Sequence, residues 1–325
     1  MPSFLFSLDP VAPFRLDLTA WALRRRPSNR IDRLDRGVYR RIIAVGHVPV
    51  EVTVSQPAGG ERPRVEVHVK GIGRTKRVEL SVATAIRKMF GMTIDLSRFY
   101  QIAEQDSRLG PLATGFLGLK PPRFPSVFEA TVNAIACQQL SLDVGILLLN
   151  RLSEACAPSV LSDTGDRLHA FPRPRDLLEL RLTDLRAMGF STRKAEFLLD
   201  LAEATEAGGL DLEGFAALGR QEAMERLMRI RGIGRWTAEY VLLRGTGDLS
   251  AFPGDDVGGR NKLRHLLQLG EPLSYEAVRK ITSRWDPYPG FVYFHLLLDD
   301  LARKGHVIRE TRKLCKNFVE GFRHL

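Results

Sequence analysis

The chain has 325 residues, 44% of them hydrophobic, with Lys+Arg 48 against Asp+Glu 38 and a net charge of +10. That length exceeds one ordinary core, so two or three domains are expected, and the positive balance points to an anionic partner, nucleic acid before a membrane surface. Cys137, Cys156 and Cys315 stand far apart, which excludes a disulfide framework, a zinc site and a four-thiolate iron–sulfur run, and no apolar run approaches the ~18 residues of a membrane span.

The N-terminus, "MPSFLFSLDP", lacks a charged leader and a long apolar core, so no signal peptide is read there. A cytoplasmic, nucleoid-associated protein is expected. Residues 24–41 hold eight arginines (Arg24, Arg25, Arg26, Arg30, Arg33, Arg36, Arg40 and Arg41) against Asp32 and Asp35. A solvated basic face and a phosphate-contacting patch are equally good readings of that run. The stretch "RIIAVGHVPVEVTVSQPAGGERPRVEVHVKG" alternates apolar and polar residues, and "PAGGERP" divides it into two strand-like halves. An amphipathic helix is predicted over Val78 to Met92. Residues 1–95 therefore read as an α+β domain. The proline-rich "LKPPRFPS" (Leu119 to Ser126) reads as a connector at a boundary.

From Val127 onward the pattern is helical. Two helices break near Gln138–Ser141, three shorter ones follow over "RPRDLLELRLTDLRAMGFSTRKAEFLLDLAEATEAG", and "LSYEAVRKITSRW" and "FVYFHLLLDDLARKG" close the chain. "GFSTRKAEFLL" (Gly189 to Leu199) aligns with "GIGRWTAEYVL" (Gly232 to Leu242). Gly189/Gly232, Ala195/Ala238, Glu196/Glu239 and Phe197/Tyr240 fall in register, which suggests a repeated helix–turn–helix unit. Only the second copy carries a second glycine, Gly234, where the first has Ser191. The second copy reads as functional and the first as structural.

A helix that starts after such a turn presents unpaired backbone N–H groups, here Gly232, Ile233 and Gly234, with Arg229, Arg231 and Arg235 around them. That arrangement suits a phosphate and reads no base. Trp236 and Tyr240 share one helix face, as core residues or as an aromatic wall for a stacked base. Just beyond, "GDDVGG" supplies Asp255 and Asp256. An aspartate there serves as a helix N-cap; near DNA it can also stabilise a sugar cation as a base leaves and orient water. One aspartate can cap while the other faces a pocket. His295 sits on the apolar stretch "FVYFHLLL" and reads as a core histidine.

"MRIRGIGRWTAEYVLLRG" followed by "FPGDDVGGR", with "AIACQQLS" upstream and "RWDPYPGFVYFHLL" downstream, resembles the helix–hairpin–helix DNA glycosylases, above all the bacterial 3-methyladenine DNA glycosylase II branch. The resemblance implies a mainly helical fold with an N-terminal α+β domain and two helical subdomains flanking an active-site cleft. Residues 123–248 would carry the helix–hairpin–helix, and residues 96–122 with 249–325 the catalytic aspartate region. It implies a monofunctional enzyme that flips alkylated purines (3-methyladenine, 7-methylguanine) out of double-stranded DNA and hydrolyses the N-glycosidic bond, acting as a monomer. By position, Asp256 takes the catalytic aspartate, and Arg231, Gly232, Ile233, Gly234 and Arg235 the DNA-binding hairpin. Gln139 takes the wedge that fills the duplex gap, and Trp236, Tyr240 and Leu297 the base pocket. No cofactor is implied beyond a structural Na⁺ or K⁺ held by the main-chain carbonyls of Met228, Ile230 and Ile233.

The chain departs from that pattern at Arg231, where proline is usual, and at Val257 and Leu297, where the alkylpurine enzyme has aromatic partners. Gln139 is polar where that enzyme has an apolar wedge. Two alternatives compete with that reading. A glycosylase/lyase needs a nucleophilic amine, and its usual position holds Trp236, leaving Lys262 as the nearby substitute. A non-catalytic DNA-binding protein leaves Asp256 unexplained, because a carboxylate near DNA costs affinity.

Overall fold

A computed structural model describes residues 1–58, 62–163 and 165–309; Cys315 and the middle of the "PAGGERP" break lie outside them. The N-terminal part is a five-stranded antiparallel sheet in the order β1-β5-β4-β3-β2, with β1 Ser3–Leu8, β2 Arg33–Asp35, β3 Val38–Val45, β4 Val48–Ser55 and β5 Val65–Lys70. Val50, Val52 and Val54 of β4 and Val65, Val67 and Val69 of β5 point to one face and are fully buried. The helix Lys76–Met89 covers that face with Val82, Ala83, Ile86 and Met89, and Thr75 caps its start by accepting from the Val78 N–H at 3.2 Å. Sequence alternation predicts β4 and β5 but runs straight through the β3–β4 hairpin, because Val45 pairs with Val48 across only Gly46 and His47. The edge strand β1, read only for what it is not, pairs along its whole length with β5.

The arginine run fits neither reading of it throughout. Arg25 and Arg41 are buried. Arg41 bridges Asp32 (2.7 Å) and Glu129 (2.6 Å), which ties the sheet to a helix 88 residues further on. Arg24 spends its guanidinium on the carbonyls of Arg26, Leu34 and Pro27. Burying a charge is tolerated only with such partners; Arg25 and Arg41 hold the N-terminal part onto the helical body, and Arg24 ties the N-terminal part to itself. The proline-rich segment is likewise no exposed linker. Leu119, Lys120 and Phe124 are buried, and the Arg123 and Phe124 N–H groups donate to the Met89 and Arg244 carbonyls.

The helical body is built around Val127–Cys137, buried from Val127 through Ala136. Ser126 caps its start, and the chain breaks at Gln138 before Ser141 caps the next helix, Leu142–Cys156. Thr192–Glu206 and Arg235–Val241 pack on the same central helix, the latter running on through a π-turn at Leu242–Thr246. Val257–Leu267, Tyr275–Thr282 and Pro289–Arg303 form the opposite side, together with Ser97–Glu104 and Leu109–Gly115. One continuous apolar cluster runs from Leu18 through Val307, so the two helical groups share a core beneath a cleft. No helix among the described residues is long and apolar enough to cross a membrane.

Candidate active site

The two sequence repeats lie side by side. In the first, the turn at Gly189 (φ 105°) leads into Thr192–Glu206, and Ser191 caps that helix by accepting from the Lys194 N–H at 3.3 Å. In the second, the turn at Gly232 (φ 86°) leads into Arg235–Val241, whose N-cap is Gly234. A glycine cannot cap with a side chain, so the first N–H groups of that helix stay open. The two glycines are there for different reasons. A Cβ on Gly232 would lie 2.3 Å from the Phe197 ring of the first repeat, whereas one on Gly234 would meet nothing within 4 Å. Gly232 is demanded by packing and backbone angle; Gly234 leaves the backbone uncovered. Ile233 is buried between them, and its N–H donates to the Ile230 carbonyl at 3.0 Å. Met228 and Ile230 bring their carbonyls to the C-terminal end of the Arg220–Arg229 helix.

Two of the hairpin arginines, Arg231 and Arg235, are already engaged. Arg231 reaches Asp200 at 2.8 Å and Glu196 at 2.7 Å, and its guanidinium lies over Phe197. Arg235 reaches Asp255 at 2.6 Å and stacks on Tyr275, 3.6 Å from the ring centroid. The donors this turn leaves free are therefore main-chain N–H groups and the exposed Arg229, not Arg231 or Arg235.

Beside the hairpin lies a cavity of about 960 Å³. It gathers Gln139, Gly232, Gly234, Trp236, Tyr240, Asp256 and Leu297; Arg231, Arg235 and Ile233 do not line it. Trp236 and Tyr240 stand at i and i+4 with ring centroids 5.5 Å apart and planes inclined by 31°. Asp256 is the N-cap of Val257–Leu267: its Oδ2 accepts from the Gly259 N–H at 3.0 Å. The same oxygen accepts from the Tyr293 hydroxyl at 2.7 Å. Oδ1 has no hydrogen-bond partner among the described residues. The division of labour expected between the two aspartates is thus corrected, for Asp256 alone both caps and faces the cavity. Asp255 pairs with Arg235 and Arg260.

Tyr293 escaped the sequence reading, although it stands one turn before Leu297 on the same helix face. Burial, and then the neighbouring Asp256 charge, push its phenol well above the ordinary range, so it remains a neutral donor. A Cβ on Gly259 would lie 2.9 Å from the Tyr293 ring, so glycine there permits the close approach. Lys262 also lines the cavity; burial lowers its pKa against the opposing pull of Asp300 and Asp256. Two further buried cations reach the cavity from below. Arg25 donates to the Tyr240 hydroxyl (2.8 Å) and Asn133 (2.6 Å), and Arg244 donates to the Ala22 carbonyl. Arg25 was concealed by its wide sequence separation from the hairpin, whereas Arg244 lies on the turn that continues the hairpin's second helix.

The geometry is therefore a hairpin with bare backbone donors, an aromatic pair, and a capped aspartate at the mouth of one cavity. Residues 132–287 match the model of the HhH-GPD superfamily base excision DNA repair protein. That segment belongs to the superfamily. It is 27% identical over 292 residues to a DNA-3-methyladenine glycosylase of Bacillus subtilis, covering 87% of this chain and 93% of that one. The 3-methyladenine DNA glycosylase of Archaeoglobus fulgidus superposes with a TM-score of 0.76 at 29% identity, covering 91% of this chain and 98% of that one. A Schizosaccharomyces pombe 3-methyladenine DNA glycosylase, solved with abasic DNA, superposes with a TM-score of 0.53 at 28% identity, over 62% of this chain and 95% of that one. The HhH-GPD match spans the break at Gln138, both repeats and the Asp256 loop, and so every wall of the cavity except Arg25, Arg26, Tyr293 and Leu297.

Proposed function

We infer that this chain is a monofunctional DNA glycosylase that flips alkylated purines out of double-stranded DNA and hydrolyses the N-glycosidic bond, leaving an abasic site. The observation that carries the reading is Asp256: a carboxylate anchored through Oδ2 by a helix N-terminus and the Tyr293 hydroxyl, with Oδ1 left for the cavity. Two hydrogen bonds on one oxygen fix the group's orientation at no cost in charge. Its negative charge faces the site where a sugar becomes cationic as the base departs, and it can hold the attacking water. Trp236 and Tyr240 offer π faces to the extruded base, and a base carrying positive charge gains most from them. Such a base leaves as a neutral molecule and needs little acid assistance.

The duplex is held through its phosphates by the open N–H groups of Gly232 and Gly234, the Ile233 N–H being spent on the Ile230 carbonyl, and Gln139 enters the gap left by the base. The carbonyls of Met228, Ile230 and Ile233 are the place for a Na⁺ or K⁺ beside that phosphate, and no other cofactor is invoked. The enzyme works as a monomer. Water is the nucleophile, because an indole stands at Trp236 where relatives with lyase chemistry place an amine. A panel of duplexes, each with one lesion, treated with protein and then hot alkali, tests the assignment: alkali-dependent breaks at 7-methylguanine and 3-methyladenine are expected. Strand scission without alkali, or a borohydride-trapped adduct that survives Lys262→Ala, would overturn the hydrolytic mechanism.

A further inference from the structure

The loop that carries Gln139 is a type II β-turn. Gln138 sits at φ −55°, ψ 130°, Gln139 at φ 53°, and the Leu140 N–H closes the turn on the Cys137 carbonyl at 3.4 Å. The third residue of such a turn needs a left-handed backbone, which glycine or asparagine supplies readily and glutamine does not. The alternative, a type I turn, keeps the same chain path, rotates the Gln138–Gln139 peptide, and lets Gln139 relax to negative φ. An unfavourable backbone state persists only where its surroundings over-determine it. Here they do so from the first repeat. Lys194, buried, donates its ammonium to the Gln138 carbonyl at 2.6 Å and to the Ala136 carbonyl at 3.0 Å. The Gln138 carbonyl is the one that swings when the peptide rotates. The Ala136 carbonyl belongs to the last turn of Val127–Cys137, where helix carbonyls lack partners and attract a cation. A second tie comes from the functional repeat: Gln138 Nε2 donates to the Gly232 carbonyl (2.8 Å) and to the Thr237 hydroxyl (2.9 Å).

We propose that Lys194 is a positioning residue that locks the Gln138–Gln139 peptide in its type II orientation and thereby aims the exposed Gln139 side chain at the duplex. The first repeat, with its hairpin glycine replaced by the capping Ser191, serves the reaction through this ammonium. The inference rests on the glycosylase reading and on Gln139 as the wedge.

The test is a double-mutant cycle of Lys194→Met and Gln139→Gly, read as single-turnover excision of 7-methylguanine from a paired duplex and from a single-base bulge. A bulged base is already unpaired and costs less to extrude, so it depends less on a wedge. Lys194→Met is expected to slow excision from the paired duplex about tenfold and to leave the bulge within about twofold. Gln139→Gly removes the wedge and tolerates the turn, so adding Lys194→Met to it should cost nothing further on the paired duplex. Lys194→Arg, which keeps a donor, should recover part of the loss. Additive losses, or equal losses on paired and bulged lesions, would show that Lys194 only supports the fold and overturn the proposal. A Lys194→Met enzyme as fast as wild type on the paired duplex would overturn it too. Full activity of Gln139→Gly would sink the wedge and this inference with it. A wild-type protein inert on both duplexes would sink the glycosylase reading itself.

Discussion

Replacing Asp256 by asparagine separates the capping that this residue performs from the catalytic task proposed for it. Asparagine caps helices as well as aspartate does, so its amide oxygen can keep the Gly259 N–H bond that begins Val257–Leu267. The Tyr293 hydroxyl can donate to the same oxygen. Fold and DNA binding should therefore survive, and binding should tighten slightly because a negative charge leaves the interface. What is lost is the attraction between a carboxylate and a sugar cation. At a separation of about 4 Å and an effective dielectric near 20, that attraction is about 4 kcal/mol. If all of it acts in the transition state, the rate should fall by about 10³-fold. Single-turnover excision of 7-methylguanine, read by alkaline cleavage, measures the rate, and fluorescence anisotropy at matched salt measures binding. Asp255→Asn serves as the comparison: its carboxylate is committed to Arg235 and Arg260, so it should lose far less. Excision by Asp256→Asn within tenfold of wild type, or equal losses at both positions, would refute the assignment.

Gly234→Asp should weaken binding to every duplex alike, by covering the open N–H groups and adding a like charge, whereas Arg231→Met should barely change the salt dependence because Glu196 and Asp200 already hold that guanidinium; each neutralised phosphate contributes roughly −0.9 to the log–log slope, and a drop of that size for Arg231→Met would contradict the reading. Tyr240→Phe deprives the buried Arg25 guanidinium of an acceptor and should lower stability by about 1–3 kcal/mol in urea melts; an unchanged midpoint would mean that Arg25 finds another partner. His295 is enclosed by Phe99, Phe116 and Phe291, and burial lowers its pKa to about 4. The unfolded chain takes up this proton near 6.5 and the folded one only near 4, so stability is intact above pH 6.5 and drains away as the pH falls from 6.5 towards 4, by up to about 3 kcal/mol. His295→Phe should flatten that acid limb, and a wild-type profile in the variant would remove His295 as its cause.

What the sequence disclosed and what it hid divide along the range of the interactions. The hairpin, the repeat and the Asp256 loop were legible because each is local: glycine, cap and helix periodicity lie within a dozen residues of one another. Gly189 and Gly232 both took the positive φ that their turns demand. Trp236 and Tyr240 came together because positions four apart share a helix face. Arg25, Arg41 and Tyr293 were out of reach for the opposite reason. An arginine in a basic run looks the same whether it meets solvent, phosphate or a buried carboxylate, and only the fold brings Glu129 to Arg41 across 88 residues. The proline-rich segment misled in the same way: proline marks a stretch without helix, which Leu119–Ser126 is, but says nothing about burial.

On the proposed reading, the placement of Asp256 at a helix start lets local and catalytic demands fall on one residue. An N-cap side chain must be short, carry an acceptor and leave the helix axis at a fixed angle. Those are also the requirements for a carboxylate that holds a water and faces a cation without wandering. The Gly259 N–H and the Tyr293 hydroxyl both bind Oδ2, so the helix that Asp256 begins and the helix that carries Tyr293 jointly set its direction. The two helices pack against each other within the shared core, and any shift between them would turn the carboxylate away from the cavity. On the same reading Gly259 matters too, since a side chain there would push Tyr293 off the oxygen that it orients.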